Sequence, residues 1–182
     1  MQKEYDLTVR WTAFPLHPEI PEGGITLEQL FAGRPIDWNE VMTRLKKAAL
    51  DAGLPFGERR MTYNSRLAQE LGKWAETLGS GEAYHRAVFR AYFVQGINIG
   101  KMDELAGLAG NLGFPVDEAR KVLERKDFKE AVDRDWARSQ QLGIRAVPTF
   151  LMGTHVLVGA QPYEELTALM AAAGIKKRQE KT

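Results

Sequence analysis

The 182-residue chain has 44% apolar and 27% charged residues and a formal net charge of +1. That balance suits one globular domain with room for an inserted subdomain and a sizeable core. It gives no field to gather nucleic acid or an anionic membrane. The absence of cysteine excludes disulfides, thiolate nucleophiles and cysteine metal sites from these residues.

From the N-terminus, Tyr5, Leu7, Val9 and Trp11 alternate with Asp6, Thr8 and Arg10, a period of two that predicts a strand over 5–11. The proline- and glycine-rich run from Phe14 to Gly24 reads as a loop. A short helix over 25–33 follows, with Thr26 near its start. Helical spacing begins again at Asp37, where Trp38, Val41, Met42, Leu45, Ala48 and Ala49 form a stripe that Gly53 stops. Asn64 or Ser65 is placed to cap a helix carrying Leu67, Ala68, Leu71, Trp74, Ala75 and Leu78. After Gly79-Ser80-Gly81, a third long helix carries Tyr84, Val88, Ala91 and Tyr92 and ends near Gly96. Two shorter helices, over 103–112 and 116–124, flank Gly113-Phe114-Pro115. Phe128, Val132 and Trp136 define another long helix, which Leu142 continues up to Gly143. The period then changes. Ala146 to Met152 and His155 to Gly159 read as a hairpin around Gly153-Thr154, and 163–173 as a closing helix with Gly174 as its C-cap.

One early strand and a hairpin are too little sheet for so many helices, so the helices must pack on one another. The expected class is α/β, with residues 1–36 and 126–182 as a small α/β layer and 37–125 as an inserted helical subdomain. The run from Lys176 to Thr182 reads as a charged, solvated tail. The N-terminus has no signal pattern and no apolar run approaches membrane length. A cytoplasmic location is therefore expected, with neither membrane nor nucleic acid as partner.

Three groups of residues carry a resemblance. The first is Gly143-Ile144-Arg145-Ala146-Val147-Pro148-Thr149-Phe150 with Val158-Gly159-Ala160-Gln161-Pro162. The second is Ala91-Tyr92-Phe93 with Gly96-Ile97-Asn98-Ile99. The third is Arg10-Trp11-Thr12-Ala13-Phe14-Pro15-Leu16-His17-Pro18 with Asn64-Ser65 and Ala68. Together they resemble the DsbA-like thioredoxin family, in the branch of the FrnE-type oxidoreductases. That branch stands beside the 2-hydroxychromene-2-carboxylate isomerases and kappa-class glutathione transferases. The resemblance runs from about Tyr5 to about Ala173 and implies a thioredoxin-like fold with a large inserted helical subdomain. It also implies a cis bond at Pro148, a residue type that lowers the cost of cis to about 0.5–1 kcal/mol. The implied substrate-binding residues are Val147, Pro148, Thr149 and Asn64, with the main chain at Val147 pairing with an extended peptide or thiol substrate, or with glutathione. From the residues alone, Pro148 equally starts an edge strand, Asn64 equally caps a helix, and Thr149 is an ordinary strand residue.

The family opens with a strand and then a helix whose N-terminus carries Cys-x-x-Cys, or a serine in the isomerases. Such a position lowers a thiol's pKa. This chain starts at what corresponds to the second strand. The first central strand and the active-site helix are thus expected to be missing, leaving two open sheet edges. Three outcomes stay open: a gene product longer than this chain, direct pairing of the two edges, or a homodimer through exposed sheet edges. The resulting expectation is a DsbA/FrnE-like thiol–disulfide oxidoreductase relative, redox-inactive as this cysteine-free chain. It has no catalytic residue and no cofactor other than, in one reading, glutathione. The alternatives are a glutathione-dependent isomerase or transferase and a non-catalytic thioredoxin-fold binding module.

Other residues read more plainly. His17, His85 and His155 lack metal-ligand spacing, so no metal is expected. Ser65, Ser80 and Ser139 lie in no nucleophile-elbow context. Trp38, Trp74, Phe89, Tyr92, Phe93 and Trp136 read as bundle core, and Asp133 and Asp135 as a solvated helix face.

Overall fold

A computed structural model describes residues 1–33, 35 and 37–178. The chain forms two compact units, one of residues 17–133 and the other of residues 1–16 with the chain from 134 onward.

In the first unit, β1 (Ile25–Thr26) runs directly into α1 (Leu27–Leu30). A capping box fixes the junction. Thr26 Oγ1 accepts the Gln29 N–H at 3.1 Å and Gln29 Oε1 accepts the Thr26 N–H at 2.9 Å. The helix is a single turn, shorter than the 25–33 expected, and it starts only after Ile25 and Thr26, which pair with β2 (Met61–Thr62). Between them lies α2 (Trp38–Asp51), whose first turn is closed by Asp37 Oδ1 accepting from the Asn39 and Glu40 N–H groups.

Four helices then make the core: α3 (Arg66–Thr77), α4 (Gly81–Phe93), α5 (Met102–Asn111) and α6 (Val116–Arg125). Leu71, Tyr84, Leu105 and Leu123 are fully buried among them, with Ala75, Ala106, Ala109 and Ala119 allowing close approach. The Trp74 and Phe114 rings lie 5.3 Å apart. The expected core aromatics divide here. Trp74 is buried, whereas Phe89 is 46% exposed and no side chain of α2 is buried. Helical periodicity marks an apolar stripe but does not say whether a neighbour covers it.

The next helix, α7 (Lys129–Gln141), contains the division between the units. The second unit continues with a hairpin of β3 (Thr149–Met152) and β4 (His155–Val158), then α8 (Tyr163–Ala172). Thr149 faces Val158, and Met152 faces His155 across the Gly153-Thr154 turn, with Gly153 at φ +58°.

The strand expected over 5–11 is not formed. Tyr5 makes one antiparallel bridge, to Lys177, flanked by Arg178 N–H to Glu4 O at 2.7 Å. Beyond it, Val9 and Trp11 are exposed and none of the described strands pairs with residues 7–11. Alternation prepares a segment for a sheet, but a ladder also needs a partner.

Gly57 marks where the β2 approach crosses the end of α4. Its N–H donates to Phe93 O at 3.0 Å, and a Cβ there would fall 2.1 Å from Val94 O. Gly57→Ala is expected to destabilise the helical unit by roughly 1–3 kcal/mol, read as a lower urea midpoint at unchanged slope.

Candidate functional site

The sequence-derived site residues fall into two groups. Val147, Pro148 and Thr149 are contiguous in the unit that holds the hairpin, and Asn64 belongs to the helical unit.

The first group begins where α7 stops. Gly143, at φ +67°, turns the chain, and the Ile144 N–H returns to Ser139 O at 2.9 Å. The Val147–Pro148 peptide bond is cis. Thr149 Oγ1 donates to Ala146 O at 2.7 Å, closing the turn over the bond, so the hydroxyl is left as an acceptor only. Gly159 N–H donates to Pro148 O at 2.7 Å. That bond sets the phase of the hairpin. Bonded and non-bonded pairs alternate in an antiparallel ladder, so Thr149 and Leu151 aim their main-chain groups away from β4. Val147 lies in the same phase and is 44% exposed. Among the described residues, its N–H and C=O have no main-chain partner.

A shallow cleft of about 100 Å³ opens beside this edge. Val147, Thr149 and Leu151 line one side, Leu142 and Ile144 the end of α7, and Phe14 the N-terminal segment. Its volume suits one apolar side chain and does not enclose a drug-sized ligand.

The wall carrying Phe14 is held by a residue that sequence reasoning placed on a solvated face. Asp135 is 2% exposed, and its Oδ2 accepts the Ala13 N–H at 2.9 Å. Its Oδ1 lies 3.5 Å from an Arg10 terminal nitrogen, and Ser139 Oγ donates to its carbonyl at 2.9 Å. Asp133 is not free on that face either. It bridges Lys129 and Arg66, both at 2.7 Å, and those hydrogen bonds hold its carboxyl below the usual range. One signal in the sequence pointed to Asp135: it lies one residue before Trp136 on the apolar stripe, with Val132 and Ser139 three and four residues away.

Asn64 is a clamp. Its Nδ2 donates to Pro18 O at 3.0 Å and to Ile20 O at 2.9 Å, and its Oδ1 accepts the Arg66 N–H at 2.9 Å, opening α3. Asn98 repeats the device, with Nδ2 to Glu22 O at 3.0 Å and Oδ1 accepting from Gly100 N–H at 2.8 Å. Both Asn64 donors are therefore spent, leaving one acceptor lone pair toward a cleft of about 220 Å³ that Glu22, Arg66 and Gly100 also line. Arg66 is held in turn by Glu70, Asp133 and Lys129 O. Burial alone would depress its pKa, but the hydrogen bonds to the two carboxylates outweigh that and raise it. Among the described residues, no cluster of three or more metal-ligating side chains exists. Among the described residues, no helix is long and apolar enough to cross a membrane.

Residues 1–171 match the family described as DSBA-like thioredoxin domain. YwbO of Bacillus subtilis (strain 168) is 32% identical over 95 residues, which cover 52% of this chain and 48% of that protein, so the match spans about half of that relative. The solved structure of a probable DsbA oxidoreductase from Streptomyces coelicolor is similar at a TM-score of 0.80 and 26% identity. It covers 94% of this chain and 75% of that one. A 2-hydroxychromene-2-carboxylate isomerase shares the fold at a TM-score of 0.64 and 22% identity, over 75% of this chain and 65% of that one. A cytosolic disulfide reductase, DsbM of Pseudomonas aeruginosa, solved with glutathione, does so at 0.55 and 21%, over 82% and 81%.

Asp135→Ala leaves the Ala13 N–H without its acceptor and is expected to cost about 1–3 kcal/mol. Asp135→Asn keeps an acceptor oxygen and costs less. Urea unfolding measures both, and faster hydrogen exchange at the Ala13 amide in the alanine variant localises the loss.

Proposed function

The chain belongs to the DSBA-like thioredoxin family, and on that premise we propose that it docks an extended segment of a thiol–disulfide exchange substrate along Val147, Thr149 and Leu151. One observation carries this reading: three alternate residues present main-chain hydrogen-bonding groups on a single edge, beside a cleft sized for one side chain. A peptide adding to that edge would gain ladder bonds from Val147 and Thr149 and lodge an apolar side chain near Leu142 and Ile144.

Exchange itself requires a thiolate attacking a disulfide sulfur through a mixed disulfide. With no cysteine in its 182 residues, this chain cannot form that intermediate. Any exchange at this edge must draw its thiol from outside these 182 residues. In this reading Pro148 shapes the turn, Thr149 holds it, and Asn64 acts on the helical unit's loop and not as a ligand donor.

A second reading puts glutathione on the same edge. It is favoured by the fold-sharing Pseudomonas aeruginosa reductase solved with glutathione, and the Val147 main chain would serve a tripeptide as it serves a protein segment. The cytosolic setting of that reductase also supports a cytoplasmic site of action. An edge left free in solution invites a second copy, so a homodimer through β3 is the expected competitor for the peptide.

Binding of a carboxymethylated insulin B chain, followed by fluorescence anisotropy, tests the docking. Val147→Pro removes the N–H and is expected to weaken binding about tenfold, equivalent to about 1.4 kcal/mol. Unchanged affinity in a variant with native circular dichroism refutes main-chain docking at Val147. Competition by millimolar glutathione supports the second reading. The chain alone should show no insulin-reducing activity, and its elution should move toward the dimer as concentration rises if copies pair through the edge.

A further inference from the structure

The helical unit contains a half-buried cation with no ion pair among the described residues. Arg59, just before β2, lays its guanidinium carbon 4.3 Å from the Tyr92 ring centroid and 5.2 Å from that of Phe93. The two rings meet at 76° and 4.8 Å, forming a corner, with Tyr63 edge-on to Tyr92 and Phe56 stacked on Phe93. Aromatic faces attract a cation, but they accept no ordinary hydrogen bond from its five N–H groups.

The acceptors nearby are taken. The last-turn carbonyls of α4 go to main-chain donors: Arg90 O to the Val94 and Gln95 N–H, Ala91 O to Ile97 and Phe93 O to Gly57. The adjacent Glu58 pairs with Lys46 at 2.9 Å, and the Tyr92 hydroxyl is paired with Thr62 Oγ1 at 2.9 Å. Among the described residues, Arg59 has neither an ion pair nor a hydrogen bond. Of its nitrogens, only Nε is sealed from solvent without a partner, so the terminal fork is the part that solvent reaches. Burial also disfavours its charged form. Arg10, Arg66, Arg86, Arg120 and Arg178, by contrast, each face a carboxylate.

We propose that Arg59 is the anion receptor of a binding site separate from the Val147 edge, taking the carboxylate of a ligand with an apolar body. A guanidinium presents two parallel donors that match a carboxylate's two oxygens. One cation balances one negative charge, whereas a phosphate near −2 calls for further donors. The walls, Tyr63, Tyr92, Phe93 and Phe56, are rings, which suits an apolar or aromatic body and offers nothing to a hydrated one.

The test uses benzoate as probe and inorganic phosphate as the control anion. In arginine-labelled protein, the Arg59 Nε–H resonance should shift saturably with benzoate, and phosphate should bind at least about tenfold more weakly. Arg59→Lys keeps the charge but loses the planar fork and should weaken benzoate binding at least about tenfold. Arg59→Met should abolish binding while melting no lower than the parent chain, since it removes an unpaired desolvated charge, and benzoate should raise the parent's Tm but not the variant's. The proposal fails if benzoate produces no saturable shift, if Arg59→Met binds it equally well, or if phosphate binds more tightly than benzoate. It also fails if Arg59→Met melts lower while benzoate leaves the parent's Tm unchanged, because the guanidinium then serves only to pack the rings.

Discussion

The Val147 edge has a facing wall because one buried carboxylate holds a length of chain that no sheet holds. Residues 7–12 lack ladder partners among the described residues, and ordering backbone costs about 1–2 kcal/mol per residue. Two anchors oppose that cost. At one end, Tyr5 bridges Lys177; at the other, Asp135 takes the Ala13 N–H at 2.9 Å. The carboxylate is itself desolvated, so it contributes only while its hydrogen bonds are kept. The edge, by contrast, is set locally by Gly143, by the Thr149 hydroxyl and by hairpin phase.

The two units solve the polar burial problem differently. In the helical unit, Arg66 gathers Glu70, Asp133 and Lys129 O, tying the first turn of α3 to the first turn of α7. Side chains thus connect elements that share little apolar surface. In the hairpin unit, most polar connections are main chain to main chain, as small strands and tight turns require. A ligand arriving at the hairpin therefore meets backbone, and one arriving at the Arg59 corner meets a side chain.

Much of this was legible in the residues. Strong apolar periodicity located α3 to α8 to within a residue or two, since glycines at φ near +70° end α3, α4, α7 and α8 shortly after their last apolar turn. The segment over 5–11 misled because period two reports facial polarity and is silent on partners. Phe89 and the α2 stripe misled for the parallel reason, that spacing gives a face and not its cover. Asp135 showed only in its place beside the apolar stripe, and Arg59 was invisible as a special residue, because burial and the choice of partners are properties of neighbours far along the chain. Asn64 was legible as a cap, but its two loop carbonyls, over forty residues earlier, were not.

That asparagine has a consequence of its own. Both Asn64 N–H groups point at carbonyl oxygens of Pro18 and Ile20, and the next residue, Ser65, is small. Hydrolysis of the side-chain amide would turn two donors into a carboxylate oxygen facing two carbonyl oxygens, replacing attraction by repulsion at the same spot. The loop over 17–24 would lose two of the three side-chain amide bonds that hold its carbonyls and keep only the one from Asn98. Much of the hold on this stretch of main chain therefore resides in the chemistry of a single side-chain amide and not in any sheet.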